Sequence, residues 1–214
     1  MALTYPVSGG GDFKQLPGGT HIAVCDIVAD MGIQPGNDLY PKAKPQVYVR
    51  FEVPSERIEW EKDGKKHEGP AIIGRIFTAS MHEKATLRIF LEGWRGRKFT
   101  DEEAGKFDIS TILGKACMLN AVENLKDGKV RVKIAAVSPL PKGITAAGAE
   151  LPLLYYAKDD TGGFDSLQPW LQEKIKTQIV YSPKSATAPE IGDNGPEYAD
   201  SDAPFSATLE DIPF

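Results

Sequence analysis

The clearest pattern in the sequence is a strict alternation of apolar and polar residues in QVYVRFEV, residues 46–53. On an extended chain one face carries Val47, Val49, Phe51 and Val53, and the other carries Gln46, Tyr48, Arg50 and Glu52. Residues 20–34 and 71–81 are also rich in β-branched residues, so they predict two further long strands. Asp63-Gly64 predicts a tight hairpin turn, and Gly74 predicts a bend or bulge.

The hydrophobic period changes after residue 81. Leu87, Phe90, Leu91 and Trp94 recur at helical spacing, and residues 101–114 form a second, weaker helical pattern. Strand patterns return at residues 115–125 and 129–140, which are joined around Asp127-Gly128. The chain is therefore predicted to form three strands, a helical segment and two more strands.

This order predicts a mainly β protein with an OB-fold, a five-stranded antiparallel barrel with a helix between strands 3 and 4. An open five-stranded sheet or a split barrel of another topology fits the same order of elements, so both remain open. We expect a flexible arm (residues 1–15), the OB-fold domain (16–141), a small helical appendage (142–181) and a disordered acidic tail (182–214). The appendage helix is expected at about residues 166–179, with Pro169 in its first turn, and should pack back on the barrel.

Charge is distributed unevenly along the chain. The 214 residues include 25 Lys or Arg and 30 Asp or Glu, for a net charge of −5. Seven of the acidic residues lie in residues 185–214, which contain no Lys or Arg, so the first 184 residues hold 25 basic and 23 acidic groups. Taken alone, this charge asymmetry favours a tail that only aids solubility. The alternative is a mildly basic body that binds an anion.

The residue types needed for catalysis or metal binding form no recognisable pattern. Cys25 and Cys117 are far apart in the sequence, and His21, His67 and His82 lack zinc-ligand spacing. We find no phosphate loop and no nucleophile–base constellation, so we expect no enzyme activity, no cofactor and no metal. The N-terminus lacks a secretory pattern, and no apolar run reaches the roughly 18 residues needed to span a bilayer. We therefore expect a protein of the bacterial cytoplasm without a membrane partner.

Aromatic and basic residues alternate with apolar ones on several predicted strands. Rings that stack on bases and cations that follow phosphates are what single-stranded nucleic-acid binding requires. If Ile72 and Ile76 point inward, Arg75 and Phe77 share an outer face, although Phe77 also suits the core. The candidate contacts are Tyr48, Arg50, Trp60, Lys62, Lys65, Arg75, Phe77, Arg131 and Lys133. In the cluster WRGRK, Trp94 suits the core, and Arg95, Arg97 and Lys98 are further candidates for phosphate contacts.

The residues Asp211-Ile-Pro-Phe, with acidic residues before them, resemble the C-terminal tip of bacterial and phage single-stranded DNA-binding proteins. In those proteins the tip follows an acidic disordered linker and binds other proteins. The resemblance implies a partner-binding tip formed by Glu210, Asp211, Ile212, Pro213 and Phe214. In such a tip Phe214 fills an apolar pocket, Pro213 limits the entropy lost on docking, and the acidic residues steer it to basic surfaces.

A second resemblance covers about residues 1–180. Residues 1–30, 77–100, 107–119 and 167–175 look like a family of phage and prophage proteins linked to DNA replication. Members are small single-stranded DNA-binding or replication-initiation proteins. Typical bacterial single-stranded DNA-binding proteins have a shorter body that lacks a counterpart of residues 151–179. The resemblance therefore does not imply that this chain forms tetramers as they do. A homo-oligomer of some kind stays open.

Together these features predict a sequence-independent single-stranded DNA-binding protein of phage or prophage replication or recombination. The body would coat single-stranded DNA, and the tip would recruit host or phage replication and recombination proteins. Two alternatives remain: a replication-initiation adaptor or annealing accessory protein with weak DNA affinity of its own, and a nuclease. The absence of clustered metal ligands in the sequence disfavours the nuclease.

Overall fold

The structure is a computed structural model that describes residues 15–36, 41–62, 64–126, 129–146, 148–157 and 161–179. Within these residues the strands are β1 (Gly19–Gln34), β2 (Lys44–Lys62), β3 (Lys65–Thr78), β4 (Ala116–Lys126), β5 (Lys129–Ser138) and β6 (Leu154–Tyr156). The helices are α1 (Thr86–Arg95), α2 (Asp101–Gly105), a 3₁₀ turn (Ile109–Ile112), α3 (Thr161–Phe164) and α4 (Pro169–Lys176). The predicted order of three strands, a helical segment and two strands is confirmed. The predicted tail, and all of the predicted arm except Gln15, lie outside the described residues.

The strands form one sheet in the order β3-β2-β1-β4-β5, and every neighbouring pair is antiparallel. β1 is long enough to serve two partners along one edge. Its residues 19–24 pair with β4, and its residues 27–29 pair in parallel with β6. Register shifts between Cys25 and Ile27 and between Asp30 and Gly32 interrupt its pairing with β2. Extra residues of this kind bend and twist a strand, so β1 can follow both partners.

The inner face of the sheet packs against α1. Leu87, Phe90, Leu91 and Trp94 are all buried, as their helical spacing predicts. The ring of Trp94 lies 5.3 Å from the ring of Phe51 on β2, and its Nε1 donates a hydrogen bond to the Ala116 carbonyl at 3.0 Å. This bond satisfies the polar end of a large buried side chain and joins α1 to the start of β4.

The outer face of β1 and β2 is covered by the appendage, as the sequence predicts. Leu171 and Ile175 of α4 pack with Ile27 and Met31 of β1 in a second apolar core. The buried carboxylate of Glu52 accepts hydrogen bonds from the backbone N–H groups of Glu150 and Leu151, at 2.6 and 2.8 Å. The sheet is therefore buried on both faces along β1 and the first half of β2.

Gly74 does not mark a bulge, contrary to the prediction. The pairing of β2 with β3 runs without interruption from Gln46↔Thr78 to Val53↔Ala71, and the register shift lies between Val53 and Arg57. Gly74 is instead the site where the Tyr48 ring lies against the backbone of β3, since a β-carbon there would overlap that ring. A glycine in a strand often marks such a close approach.

Replacing Gly74 with alanine is therefore expected to lower the free energy of unfolding by about 1–3 kcal/mol, the usual cost of overpacking. The added methyl group must push Tyr48 towards α4, so hydrogen exchange of α4 should become faster. Chemical denaturation and exchange measurements check both effects. The matched control is Gly105→Ala, because a β-carbon at Gly105 meets no atom within 4 Å. Equal stability of the two variants would contradict the packing described.

None of the helices within the described residues is long and apolar enough to cross a membrane.

Candidate nucleic-acid interface

Two predicted contacts, Tyr48 and Arg50, are buried beneath the appendage. They do lie on the face opposite Val47 and Val49, as the alternation predicts, but only 1% of Tyr48 and 2% of Arg50 is exposed. The Tyr48 ring meets the Trp170 ring edge-on at 5.1 Å. The prediction that these two side chains face solvent is therefore wrong, because the appendage packs on Tyr48 and Arg50 is buried against Asp26.

Arg50 has a structural partner in Asp26, at the register shift of β1. Its Nη2 and Nε donate hydrogen bonds to Oδ2 of Asp26 at 2.6 and 3.0 Å, and both side chains are almost fully buried. Burial raises the pKa of the Asp26 carboxyl, and the Arg50 guanidinium opposes that rise. The charge on Arg50 is thus used inside the protein and is not available to a phosphate.

Arg75 and Phe77 share a face as predicted, but it is the inner face. Phe77 pairs with Val47 and is 2% exposed in the core, whereas Ile76 packs on the appendage side. The expected inward position of Ile72 and Ile76 is therefore reversed, and Phe77 is not a surface ring. The Arg75 guanidinium lies 5.0 Å from the Phe77 ring centroid and donates to the Ile134 carbonyl at 3.2 Å. Arg75 thereby joins β3 to β5.

Trp60 and Lys65 lie on a hairpin arm, residues 57–70 of β2 and β3, beyond the register shift after Val53. Trp60 opposes His67, and their rings stack with centroids 5.7 Å apart at an interplanar angle of 14°. Lys65, which pairs with Lys62 in the register, lies two positions further out than His67 on the same face of β3, and the side chains of Lys65 and His67 are exposed. Trp60 is half-buried, and its ring also lies over Gly69. We call Trp60, Lys65 and His67 the ring-and-lysine face.

His67 was not among the sequence-predicted contacts. The signal was present, because a two-residue turn at residues 63–64 places residue 60 directly opposite residue 67. A search for cross-strand partners of Trp60 would have found it.

Arg131 and Lys133 occupy the outer face of β5, as their alternation predicts. Ile134 on the opposite face is buried, Val132 packs against the core, and Lys133 is exposed. Arg131 is half-buried, and its Nη1 atom has no hydrogen-bond partner in the part of the chain that the structure describes. Whether these two cations contact DNA stays a prediction.

The predicted DNA contacts that are not buried lie at one end of the sheet. Because every neighbouring pair in β3-β2-β1-β4-β5 is antiparallel, β3 and β5 run in the same direction. The β2–β3 and β4–β5 turns are therefore at the same end, which we call the hairpin end. The ring-and-lysine face lies at this end, and Arg131 follows two residues after the start of β5.

The WRGRK cluster lies at the other end of the sheet, in and after α1. Trp94 is in the core, as predicted, and Glu103 pairs with both Arg95 and Arg97 at 3.2 and 2.8 Å. The hydrogen bond from Arg97 is the main reason why the pKa of Glu103 falls to about 2. Two of the three basic residues of the cluster are thus engaged with a carboxylate.

The tip residues 210–214 lie outside the described residues, so their role rests on sequence alone. Among the described residues, His, Cys, Asp and Glu side chains form no group of three that could hold a metal ion. No family model, curated protein or solved structure matches this chain.

Proposed function

We propose that this chain is an OB-fold protein that binds single-stranded DNA without sequence preference in phage or prophage replication or recombination. The body coats exposed single strands, at about 4–16 nucleotides per fold. The tip, residues 210–214, recruits replication and recombination proteins. The role of the tip and the phage context rest on the sequence resemblances described above.

The sheet topology supports the OB-fold. In that fold a five-stranded barrel has its helix between the third and fourth strands, and α1 occupies this position here. The strand order β3-β2-β1-β4-β5 leaves β3 and β5 as the two edges, and the hydrogen bond from Arg75 to Ile134 spans those edges. Contact between the edge strands is what closure of a barrel requires.

The stacked pair of Trp60 and His67, with lysine positions beside it, is the observation that carries the proposed function. Every base has a π-face, so a ring platform binds bases without reading sequence, and nearby cations hold the phosphates. The base of the hairpin arm is held to the appendage by the ion pair of Arg57 with Glu150. Further out, the His67 ring is exposed, whereas Trp60 is half-buried and packs against the core behind it.

Titration of labelled oligo-dT of several lengths at two salt concentrations tests the function. The proposal predicts tight, length-dependent and salt-sensitive binding, with similar affinity for mixed sequences. Binding that is weak at both salt concentrations would contradict it.

Loss of the two outer cations of β5 should lower the salt dependence of binding. For single strands the slope of log K against log salt is about −0.7 per neutralised phosphate, so Arg131→Ala/Lys133→Ala should flatten it by about 1.4. The matched control is Lys84→Ala/Lys142→Ala. Both of these lysines are exposed and follow the ends of β3 and β5, opposite the hairpin end. If the slope of log K against log salt were equal in the two double variants, β5 would not be part of the DNA interface.

One observation favours a second candidate, an adaptor or annealing accessory protein with weak DNA affinity. Tyr48, Arg50 and Phe77, three of the nine predicted contacts, are buried, which leaves a smaller surface for DNA. An adaptor would show weak oligo-dT binding together with retention of a replication protein by the tip. Faster pairing of complementary strands would identify an annealing protein.

A further inference from the structure

The hairpin arm joins the rest of the sheet at a bulge in β2. In the register of the described residues, β2 and β3 pair up to Val53 and again from Arg57, so residues 54–56 have no partner on β3. The register of β2 with β1 also ends before the bulge, at Glu52. Extra residues of this kind bend a strand, and here no ladder on either side of β2 holds the bend. The direction of the arm therefore depends on contacts made across the bulge.

One residue of the appendage, Glu150, contacts β2 on both sides of this bulge. Its backbone N–H donates a hydrogen bond to Oε1 of Glu52, before the bulge, at 2.6 Å. The two oxygens of its carboxylate accept hydrogen bonds from Nη1 of Arg57, after the bulge, at 2.9 and 2.8 Å. A residue that is bonded at both of these points spans the bend and fixes the angle between the arm and the sheet. We call the contacts of Glu150 with Glu52 and Arg57 the brace.

Both ends of the brace are themselves anchored. The Glu52 side chain is fully buried and accepts a second hydrogen bond, from the backbone N–H of Leu151, at 2.8 Å. At the other end, Nε of Arg57 donates to Oε1 of Glu68 on β3 at 2.9 Å. One guanidinium thus holds both strands of the arm, because its planar group directs several donors at once. The brace runs from the buried part of the sheet to both strands of the arm.

The brace is suited to set a direction rather than to stabilise the fold. The ion pair of Arg57 with Glu150 is open to solvent, with 39% and 46% of the two side chains exposed. Exposed pairs of this kind contribute little to the free energy of unfolding. A small bias is still enough to change binding, because apparent affinity falls in proportion to the fraction of molecules in the competent conformation.

The brace and the ring-and-lysine face lie on opposite faces of the arm. Glu68 pairs with Glu59, and His67 pairs with Trp60, in the register of the two strands. Neighbouring residues of a strand point to opposite faces, so the carboxylate that Arg57 binds on β3 points away from the stacked rings. A change in the brace therefore alters the direction of the rings without removing any group from their surface.

We propose that Glu150 is a positioning residue that holds the ring-and-lysine face in the direction that single-stranded DNA requires. It acts through Arg57 and does not touch DNA. This inference rests on the proposed function, since the direction of the arm matters for affinity only if the arm binds DNA. It also gives the appendage a second role besides covering the outer face of the sheet.

Replacing Glu150 with alanine in the full-length chain should weaken oligo-dT binding about three- to tenfold, because fewer molecules hold the arm in the competent direction. The variant keeps the backbone N–H that Glu52 accepts and loses only the carboxylate. Plain electrostatics predicts the opposite sign, since loss of a negative charge favours binding to a polyanion. The sign of the effect therefore separates a brace from a simple change in charge.

The matched control is Glu59→Ala. Glu59 is an exposed glutamate on the same face of the arm as Arg57, two positions further along β2, and it takes no part in the brace. Its loss removes the same charge, so this variant should bind oligo-dT as the wild type does or slightly more tightly. Both variants should keep the wild-type melting temperature to within a few degrees. An equal loss of affinity in the two variants would overturn the inference.

A distance measurement without DNA gives the second readout. Spin labels are attached to full-length protein with Lys66→Cys on the arm and Ala136→Cys on β5, both at exposed positions. The native Cys25 and Cys117 are buried and should stay unlabelled. Pulsed electron paramagnetic resonance should give a narrow distance distribution for the wild type and the control variant, and a broader or shifted one for Glu150→Ala. An unchanged distribution in Glu150→Ala would overturn the inference.

The two readouts together distinguish failure of this inference from failure of the proposed function. If the arm of Glu150→Ala changed direction and oligo-dT affinity did not fall, the brace would have no role in binding, although the wild type would still bind DNA. If the wild type did not bind oligo-dT at all, the proposed function would be contradicted and the positioning role with it. The distance distributions would then still show whether Glu150 holds the arm.

Discussion

Replacing Arg50 with methionine is expected to lower the free energy of unfolding by about 3–5 kcal/mol, because it leaves a buried carboxylate without its partner. Asp26 is fully buried, and its hydrogen bonds from Arg50 are as short as 2.6 Å. Urea denaturation measures the loss. The affinity of the folded variant for oligo-dT should stay unchanged, since Arg50 is not at the surface.

The stability that Arg50→Met loses should be smaller at acidic pH than at neutral pH. Burial already raises the pKa of Asp26, and removal of Arg50 allows it to rise further above the unfolded value. A carboxyl of this kind binds its proton more tightly in the folded state, so the variant gains stability as pH falls through the folded pKa. The difference between Arg50→Met and the wild type should therefore shrink at acidic pH.

Two further variants show whether the buried pair is the cause. Arg97→Met removes an exposed ion pair and should cost far less stability than Arg50→Met, because solvent screens that pair. Asp26→Leu/Arg50→Met removes both buried charges and should recover much of the stability lost by Arg50→Met. If Arg50→Met were fully stable and had lost DNA affinity, Arg50 would belong to the DNA surface after all.

Replacing Trp60 with alanine is expected to weaken binding of oligo-dT by about 1–3 kcal/mol, or roughly 5- to 150-fold, because it removes the ring that supports the exposed His67 ring, on which a base stacks. Trp60→Phe should retain most of the affinity, since a smaller ring still supports His67. His67→Ala should cause a similar loss, because it removes the exposed ring itself. Fluorescence anisotropy with labelled oligo-dT at fixed salt measures all three variants.

The control for Trp60 is an exposed ring elsewhere in the molecule. Tyr155→Ala removes such a ring from β6 and should leave oligo-dT affinity unchanged. Trp60 also packs over Gly69, so the melting temperature of each variant is recorded first. A folded Trp60→Ala variant with wild-type affinity would exclude the hairpin arm as the binding site.

The alternation in residues 46–53 identifies the two faces of β2 correctly, yet it does not show which face meets solvent. Val47 and Val49 are in the core as expected. Tyr48 is buried against Trp170 and α4, and Arg50 is buried against Asp26 of β1. Strand periodicity carries no information on such long-range contacts. The sequence of the appendage does indicate that this face is covered. The apolar side chains of Leu171 and Ile175 need a surface to pack on, and the outer face of the sheet provides it.

The sequence of β3 does not show which of its two faces points to the core, whereas the sequence of β5 does. In AIIGRIFT, Ile72 and Ile76 fall on one face and Ile73 and Phe77 on the other, so both faces look apolar. The pairing with β2 decides that Phe77 points inward. In β5, Arg131 and Lys133 alternate with Val132 and Ile134, so only one face suits the core and the prediction succeeds.

Ultraviolet crosslinking of the full-length protein to oligo-dT, followed by mapping of the crosslinked peptides, tests the central claim most directly. Our account predicts that the crosslinks map to residues 57–70, with weaker ones at residues 129–133, and that they fade as salt is added. Crosslinks confined to residues 148–179, or none under conditions that label a known single-stranded DNA-binding protein, would contradict it.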